Sequence, residues 1–237
     1  MNILITGGSR GIGFEMAQCF AEIGDNNIVA ISRNEAGLKD LKNACIRKNV
    51  QAHLYPIVFD LEQVSQYETV LLPKIQQFLP HIDILINNAG FLINKPFESI
   101  TAEEALQMCS VNFLAPAQLT RILLPMMRKG TSPHIVNISS MGGFQGSQKF
   151  KGLSIYSATK GALAVLTECL AEELKESKIS VNCVALGSVN TPMLKEAFPG
   201  FTSPVSSTDM AAWIVNFAVT GGKLFNGKVI PVAITTP

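Results

Sequence analysis

The sequence predicts an α/β protein with a doubly wound parallel sheet of about seven strands and helices on both faces. Short runs rich in β-branched residues and Leu alternate along the chain with longer segments of helical period. Strands that are apolar almost throughout are typical of a parallel sheet buried on both faces, and right-handed crossovers make such a sheet doubly wound. The predicted strands are Asn2 to Thr6, Asn27 to Ser32, His53 to Phe59, Ile82 to Asn87, His134 to Ser139, Ser180 to Ala185 and Lys228 to Val232.

The composition favours one domain that works on small molecules. No linker rich in Pro, Gly or Ser divides the 237 residues, so we expect a single domain over residues 1–237. The formal net charge of +1 gives no electrostatic reason to expect a nucleic-acid or membrane-surface partner. No apolar run approaches the roughly 18 residues of a membrane span, and no signal segment precedes the first strand, so we expect a cytoplasmic protein. The five cysteines lack paired ligand spacings and are expected to be reduced, without a metal site.

A glycine-rich turn joins the first strand to the first helix, which we expect to run to about Ile23. After Thr6 the residues are Gly7, Gly8, Ser9, Arg10, Gly11, Ile12 and Gly13. Such glycines allow a tight turn and a close approach of the backbone to a phosphate, and free N–H groups at a helix start attract an anion. Turn geometry alone is the other explanation. The position directly after the first strand favours a dinucleotide site and hence a Rossmann-like domain.

The end of the second strand indicates which dinucleotide is bound. This position usually carries an acid for a free ribose 2'-hydroxyl or an Arg for a 2'-phosphate. Here the residues are Ser32 and Arg33, and Arg10 could bring a second guanidinium to the same phosphate. We therefore expect NADP(H) to be preferred to NAD(H). A merely solvated Arg33 is the alternative interpretation.

Polar residues and Gly follow the third and fourth strands, at the edge where an open α/β sheet places its ligand crevice. Asp60 and Leu61 follow the third strand, and the fourth closes at Asn87, Asn88, Ala89 and Gly90. Asp60 could instead cap the next helix.

Asn112 lies within a long helical pattern that runs from Thr101 to about Arg128 and contains Pro116. A mid-helix Asn whose neighbourhood is disturbed by Pro can expose backbone groups and hold water. A purely structural role explains the spacing equally well.

Two further groups, a serine pair and a tyrosine–lysine pair, have candidate catalytic chemistry. Ser139 and Ser140 end the fifth strand, where a hydroxyl could donate to a substrate oxygen. Tyr156 and Lys160 are four residues apart in a helical pattern that runs to about Ser177, so they share one face. A nearby cation favours phenolate and lowers a tyrosine pKa from about 10 toward the range useful for proton transfer. By spacing alone, such a pair is more often a solvated face.

Taken together, these motifs resemble the short-chain dehydrogenase/reductase family, in its compact single-domain form, over essentially the whole chain. The matching motifs in order are TGGSRGIG from Thr6, Asp60, NNAG from Asn87, Asn112, the serine pair and YSATK from Tyr156. The resemblance implies that Tyr156 is the general acid or base, Ser140 binds the substrate oxygen, Lys160 binds the nicotinamide ribose and lowers the tyrosine pKa, and Asn112 positions a water linked to Lys160. It also implies a homodimer or homotetramer. The implied cofactor contacts are Gly7, Ser9, Arg10, Ile12, Asp60, Asn88, Ala89, Gly90, Val189 and Thr191.

The chain departs from the family pattern at three places. Ala185, Leu186 and Gly187 stand where Pro-Gly is usual after the sixth strand, and the glycine pair often seen after the last strand is missing. The gap from Ser140 to Tyr156 is longer than the usual one by about three residues, which we place at residues 146–152. We select Ser140 as the working serine because Ser139 should still belong to the strand.

The expected function is NADPH-dependent reduction of a ketone to a secondary alcohol. The expected pocket loops are Phe91 to Phe97, Met141 to Leu153 and Ser188 to Ser206, whose apolar residues favour an apolar or acyl-bearing substrate. A 3-oxoacyl group on an acyl carrier protein is one candidate, with Arg128 and Lys129 or Lys149 and Lys151 as carrier contacts. The alternatives are oxidation of a secondary alcohol of a sugar, steroid or other small molecule, and a nucleotide-sensing regulatory protein on the same fold.

Overall fold

The chain folds around one seven-stranded parallel sheet with the strand order β3-β2-β1-β4-β5-β6-β7. This computed structural model describes residues 1–234, and the tail predicted after the last strand lies partly outside them. The order reverses between β1 and β4, as expected for a doubly wound sheet, so the predicted fold class is confirmed. The strands are β1 Asn2–Thr6, β2 Asn27–Ser32, β3 His53–Val58, β4 Ile84–Asn87, β5 His134–Ser140, β6 Ser180–Leu186 and β7 Val229–Val232.

Helices cover both faces because successive strand residues point to opposite sides of the sheet. Within residues 1–234 the α-helices are α1 Gly11–Glu22, α2 Glu35–Lys48, α3 Leu72–Gln76, α4 Ala102–Cys109, α5 Ala115–Met127, α6 Ser154–Glu173, α7 Pro192–Ala197 and α8 Ser207–Thr220. In β1, Ile3 and Ile5 belong to the apolar core with α1, α2 and α8, whereas Leu4 belongs to the core with α3 and α5. Burial of both strand faces is what makes the strands apolar almost throughout.

Five predicted strand ends and two predicted helix ends differ from the structure. The third strand stops one residue short of Phe59, the fourth begins at Ile84 rather than Ile82, and the seventh begins after Lys228. The fifth and sixth strands each gain one residue, because Ser140 pairs with Leu186 and Leu186 pairs with Val232. Helix α1 ends at Glu22, and α6 ends at Glu173, before a short 3-10 turn. Cross-strand register sets the extra residues, and a single strand does not reveal it.

The long helical pattern around Asn112 is interrupted. A π-helical turn, Ser110–Leu114, separates α4 from α5. Pro116 has no N–H group and follows Asn112 by four residues, so it cannot donate the α-helical hydrogen bond to the Asn112 carbonyl. The disturbance expected from Pro116 is therefore present.

Within residues 1–234, no helix combines the length and the apolarity that a membrane crossing requires. In the same range, no group of three or more His, Cys, Asp or Glu side chains is placed to hold a metal ion. All five cysteines are free thiols, of which Cys45 and Cys183 are buried and Cys169 is exposed.

Candidate active site

A cavity of about 470 Å³ opens at the carboxyl ends of the strands, where the order of the sheet reverses. It gathers residues from the loops after β1 to β6, although these are far apart in sequence. Two expected site residues, Gly13 and Asn112, lie outside its lining. The expected site residues that line it are Gly7, Ser9, Arg10, Gly11, Ile12, Arg33, Asp60, Leu61, Asn88, Ala89, Gly90, Ser140, Tyr156, Lys160, Val189 and Thr191.

The glycine turn after β1 has the shape of a phosphate cradle. Gly7 and Gly11 have φ of +73° and +60°, a conformation that side chains rarely adopt. A Cβ on Gly13 would lie 2.3 Å from the Gly7 carbonyl oxygen, so only Gly lets α1 approach β1 this closely. Arg10 precedes α1 without making a side-chain cap hydrogen bond. The first N–H groups of α1 thus remain available to an anion, and the residues present fit a dinucleotide diphosphate.

Thr6 and Asn88 hold this turn against the end of β4. The Thr6 hydroxyl oxygen accepts hydrogen bonds from the Asn88 and Ala89 N–H groups, each at 3.0 Å. The Asn88 amide donates to the Thr6 carbonyl at 2.9 Å and to the Gly7 carbonyl at 3.3 Å. Thr6 was not predicted as a site residue. The sequence feature that could have indicated this role is its position as the last residue of the first strand, directly before the glycine turn.

The two arginines expected at a 2'-phosphate do not converge. Arg10 forms a bidentate pair with Glu196 of α7, with N–O distances of 2.5 and 3.1 Å. Arg33 lies 3.1 Å from a Glu62 oxygen and 3.8 Å from an Asp60 oxygen. The acids that hold the arginines apart are distant in sequence, so the spacing of the arginines alone gave no sign of them. Both arginine side chains are more than half exposed.

Asp60 closes a turn after β3 and does not cap the next helix, whose N-cap is Gln63 and has no side-chain cap hydrogen bond. Its Oδ1 accepts a hydrogen bond from the Glu62 N–H at 3.1 Å, and its carbonyl accepts one from the Gln63 N–H at 3.0 Å. It lines the cavity as well, together with Leu61. Of the two roles considered for Asp60, the position at the crevice is the one that the geometry supports.

Tyr156, Lys160 and Ser140 meet at the inner end of the cavity. The Lys160 Nζ lies 5.9 Å from the centroid of the Tyr156 ring and donates to the Ile138 carbonyl at 2.8 Å. The Ser140 hydroxyl is close enough to Tyr156 to act on its phenol, and its oxygen also accepts from the Gly142 N–H at 3.2 Å. The Ser139 hydroxyl is buried and donates to the Lys160 carbonyl at 2.8 Å. Ser140 is therefore the serine beside the phenol. Ser139 belongs to β5 as expected, and the strand includes Ser140 as well.

Burial, rather than the neighbouring cation, controls the pKa of Tyr156. Loss of hydration raises this pKa to about 12, and the hydrogen bond with Ser140 opposes the rise. The same burial lowers the pKa of Lys160 to about 8. The expected lowering of the tyrosine pKa is therefore wrong for the protein alone, because the two side chains are only 9% and 3% exposed. The phenol keeps its proton at neutral pH, and most of the lysine is still charged there.

The side chain of Asn112 joins the loop after β4 to α6. Its Oδ1 accepts from the Phe91 N–H at 2.8 Å, and its Nδ2 donates to the Phe91 carbonyl at 2.8 Å and to the Thr159 hydroxyl at 3.1 Å. Thr159 in turn donates to the Tyr156 carbonyl at 2.7 Å. Because the side-chain amide of Asn112 is already hydrogen-bonded, a water linked to Lys160 would bind the backbone carbonyl of Asn112. Pro116 has no N–H group that could donate to this carbonyl. Thr159 is a second residue that the prediction did not include, although it lies within the YSATK motif.

All three predicted loops contribute to the apolar side of the cavity. Leu92 comes from the first loop, Phe150 and Leu153 from the second, and Met193 and Phe198 from the third. None of the lining residues that these three loops contribute is charged. The arrangement suits an uncharged, apolar molecule beside the Tyr156 phenol.

Strand β6 extends through Leu186, which stands where the family usually has Pro. Leu186 pairs with Val232, and the Gly187 N–H donates to the Val232 carbonyl at 2.9 Å. The chain then turns past Val189 into the cavity wall, and the Thr191 hydroxyl caps α7 by accepting from the Leu194 N–H at 3.2 Å. Leu186 thus pairs with β7 at the position where Pro is usual.

Comparison with known proteins relates this geometry to a family. The family model described as short chain dehydrogenase matches residues 1–200. The Ketoacyl reductase HetN of Nostoc sp. is 36% identical over 188 residues, which cover 79% of this chain and 63% of that protein. The chain therefore spans less than two thirds of the length of this relative.

Solved structures share the fold over nearly the full length. A crystal structure of levodione reductase superimposes with a TM-score of 0.87 at 27% identity, covering 98% of this chain and 95% of the other. A 3-ketoacyl-(acyl-carrier-protein) reductase from Brucella melitensis, complexed with NADH, has a TM-score of 0.86 at 26% identity, with coverage of 98% and 96%.

Proposed function

The chain belongs to the short-chain dehydrogenase family, and we propose that it is an NAD(P)-dependent oxidoreductase that reduces an apolar ketone to a secondary alcohol with NADPH. The observation that carries the proposal is the buried, protonated Tyr156 at the inner end of a largely apolar pocket. A group that must give a proton to a carbonyl oxygen has to hold that proton at working pH. The raised tyrosine pKa favours reduction over alcohol oxidation, which remains the second candidate.

We assign the cofactor to the crevice between the glycine turn and Lys160. Gly7, Ser9, Gly11 and Ile12, with the α1 N–H groups, would hold the diphosphate. Toward Lys160, the remaining expected contacts are Asn88, Ala89, Gly90, Val189 and Thr191. When bound, the nicotinamide supplies the hydride.

The preference for NADPH rests on the charges near the end of β2. Arg10 and Arg33 both line the crevice, and Ser32 stands where an acid would bind a free 2'-hydroxyl. Each guanidinium is exposed enough to exchange its carboxylate partner for a phosphate, which Arg binds bidentately. We therefore expect the 2'-phosphate to compete with Glu196 and Glu62 for these two side chains. Exclusive use of NADH would contradict this assignment.

The chain's own groups account for the proton transfer. The Tyr156 Oη–H would donate to the substrate oxygen, and the Ser140 hydroxyl would donate a second hydrogen bond to that oxygen and orient it. Lys160 would bind the ribose hydroxyls and stabilise the phenolate formed after transfer. A water on the Asn112 carbonyl would return a proton toward Lys160. The apolar wall would keep bulk water from the reacting carbonyl.

A 3-oxoacyl thioester is one specific candidate substrate, as the names of two similar proteins indicate. An acyl chain would fit the apolar side of the pocket. Of the proposed carrier contacts, Lys149 and Lys151 belong to the pocket loop. Arg128 and Lys129 follow α5 at the opposite, amino edge of the sheet, where Arg128 donates to the Ser177 hydroxyl at 3.4 Å. A carrier protein next to this pocket would meet the lysine pair first.

We further propose that residues 1–237 form one cytoplasmic catalytic domain and that copies of the chain associate as homodimers or homotetramers. Exposed apolar side chains on α4, the π-helical turn and α6 support the association. Leu106, Leu114 and Val165 are 68%, 44% and 59% exposed, and a partner would remove them from water.

A panel of aryl and alkyl ketones and 3-oxoacyl thioesters, followed by the loss of NADPH or NADH absorbance, tests the proposed function. We expect turnover of apolar ketones with NADPH and little with charged ones. Turnover only of secondary alcohols with NADP⁺ would favour the dehydrogenase. Tight NADPH binding without turnover of any compound would favour a nucleotide-sensing protein.

A further inference from the structure

The side of the pocket opposite the glycine turn is built from three loops, at residues 91–97, 141–153 and 188–206, which we call the substrate wall. Phe150 and Phe198 come from the second and third loops, and both line the cavity. Both also pack in the same apolar cluster as Leu153 and Tyr156. The two phenyl rings therefore belong to the apolar part of the wall that packs with Tyr156. Their positions depend on how the loops are held.

Asn94, in the first loop, contacts both other loops. Its Nδ2 donates to the Ala197 carbonyl at 2.8 Å, next to Phe198. On its other side, a Cβ built on Gly152 would lie only 2.0 Å from the Asn94 Oδ1. The adjacent Lys95 N–H donates to the Gly152 carbonyl at 3.1 Å. One asparagine thus joins the segments that carry Phe150 and Phe198.

The lengthened loop is shaped for this contact. Gly152 has a φ of +84°, which a residue with a side chain rarely adopts. Gly146 has a φ of +78°, but a Cβ there would meet no atom within 4 Å. At Gly152, close packing against Asn94 requires a glycine. At Gly146, only the backbone conformation favours one.

From these contacts we propose that Asn94 is a positioning residue, which holds Phe150 and Phe198 in the substrate wall and thereby sets the affinity for bulky apolar ketones. Asn94 does not line the cavity, so it acts through the two phenylalanines. The substrate part of this inference rests on the proposed function, whereas the joining of the loops does not.

The first test measures the loops without using activity. In Asn94→Ala, the donor to Ala197 and the contact with Gly152 are lost. We expect faster hydrogen–deuterium exchange in peptides that cover residues 146–153 and 194–201. Asn49→Ala is the matched control, because the Asn49 Nδ2 likewise donates to a backbone carbonyl of a neighbouring helix, that of Ala21 at 3.0 Å, at the far edge of the sheet. Unchanged exchange in both peptides of Asn94→Ala would overturn the inference.

The second test separates binding from chemistry. Loss of one neutral hydrogen bond should raise the KM of a bulky aryl ketone about five-fold in Asn94→Ala. The KM of a small aliphatic ketone and the kcat of both should change less than about two-fold. Phe150→Ala should show the same selectivity more strongly, since it removes the wall itself. Equal increases of KM for both ketones would contradict a role in positioning the wall.

A double-mutant cycle tests the contact itself. Gly152→Ala should be damaging both because of the positive φ and because of the clash with Asn94. In the Asn94→Ala background only the first effect remains, so the two changes should be clearly less than additive in the KM of the aryl ketone. Strict additivity would show that the two residues do not act together. If the wild-type chain reduces no ketone, the proposed function fails together with the substrate part, and the exchange experiment alone then decides whether Asn94 joins the loops.

Discussion

Replacing Lys160 by Met should make the protein more stable at neutral pH while removing its activity. Lys160 is 3% exposed, and burial lowers the pKa of its ammonium from 10.5 to about 8. With about 1.4 kcal/mol for each pH unit, the charged form destabilises the folded state by about 3 kcal/mol below pH 8. The variant leaves the Ile138 carbonyl without its donor, which costs about 1 kcal/mol. The net gain expected for Lys160→Met at pH 7 is about 2 kcal/mol in the free energy of unfolding.

The sign of the pH dependence follows from where the proton is bound. Between pH 8 and 10.5 the unfolded lysine carries more protons than the folded one, so the stability of the wild-type chain rises with pH across this window. The advantage of the variant is complete below pH 8 and is lost as the pH rises toward 10.5. At pH 10 we expect the two proteins to differ by less than about 1 kcal/mol.

Urea unfolding of both proteins at pH 7 and pH 10, followed by circular dichroism, measures this difference. Lys175→Met is the control, because this lysine side chain is 67% exposed and its loss should change stability by less than about 0.5 kcal/mol at either pH. A variant that is less stable than wild type at pH 7, or an advantage that persists unchanged at pH 10, would refute the reasoning about burial.

Three further predictions concern the acid, the cofactor and a buried imidazole. Tyr156→Phe should lower kcat by about 10²- to 10⁴-fold, because it removes the proton donor. The Kd of NADPH, measured by fluorescence, should stay within about two-fold of wild type. An unchanged kcat would exclude Tyr156 as the acid. Glu196→Gln should lower the Kd of NADPH but not that of NADH in the same titration, because it frees Arg10 from its carboxylate partner. Equal effects on the two Kd values would place Arg10 away from the 2'-phosphate. His134 is buried and its pKa lies below the usual 6.5, so the unfolded chain takes up more protons below that pH, and stability is lost as the pH falls through it. Urea midpoints at pH 7 and pH 5 should therefore fall further in the wild type than in His134→Leu, and parallel losses would contradict this assignment.

The features that the sequence predicted well are those fixed by neighbours along the chain. Apolar strands separated by helical segments predict the parallel sheet. The glycines directly after Thr6 predict the glycine turn, because a tight turn needs them locally. The pairing of Arg10 with Glu196 joins residues 186 positions apart, and no local pattern indicates it. The ends of β5 and β6 depend on cross-strand register, which a single strand does not contain.

The expected lowering of the Tyr156 pKa is wrong for a similar reason, because the pKa depends on contacts that the local sequence does not show. The i and i+4 spacing correctly places an ammonium near a phenol, and a cation alone would lower the tyrosine pKa. Burial depends on everything packed around the pair, and here it acts on both groups in opposite directions. The closeness of the two side chains could therefore be predicted from the sequence. The loss of hydration that controls both pKa values could not.

Burial also reverses the order in which the two groups lose their protons. With ordinary pKa values of 10.0 and 10.5, the tyrosine would be deprotonated first; in the folded chain the values of about 12 and about 8 mean that the lysine is deprotonated first. Near neutral pH the site therefore combines a phenol that retains its proton with an ammonium that is close to its titration point. In the proposed reaction, that ammonium would stabilise the phenolate left when Tyr156 gives its proton to a substrate oxygen, and Lys160 would pass a proton back to it. The instability that burial imposes on Lys160 would then be tied to its use, since an exposed lysine would cost less stability but would hold its proton too tightly to pass it on near neutral pH.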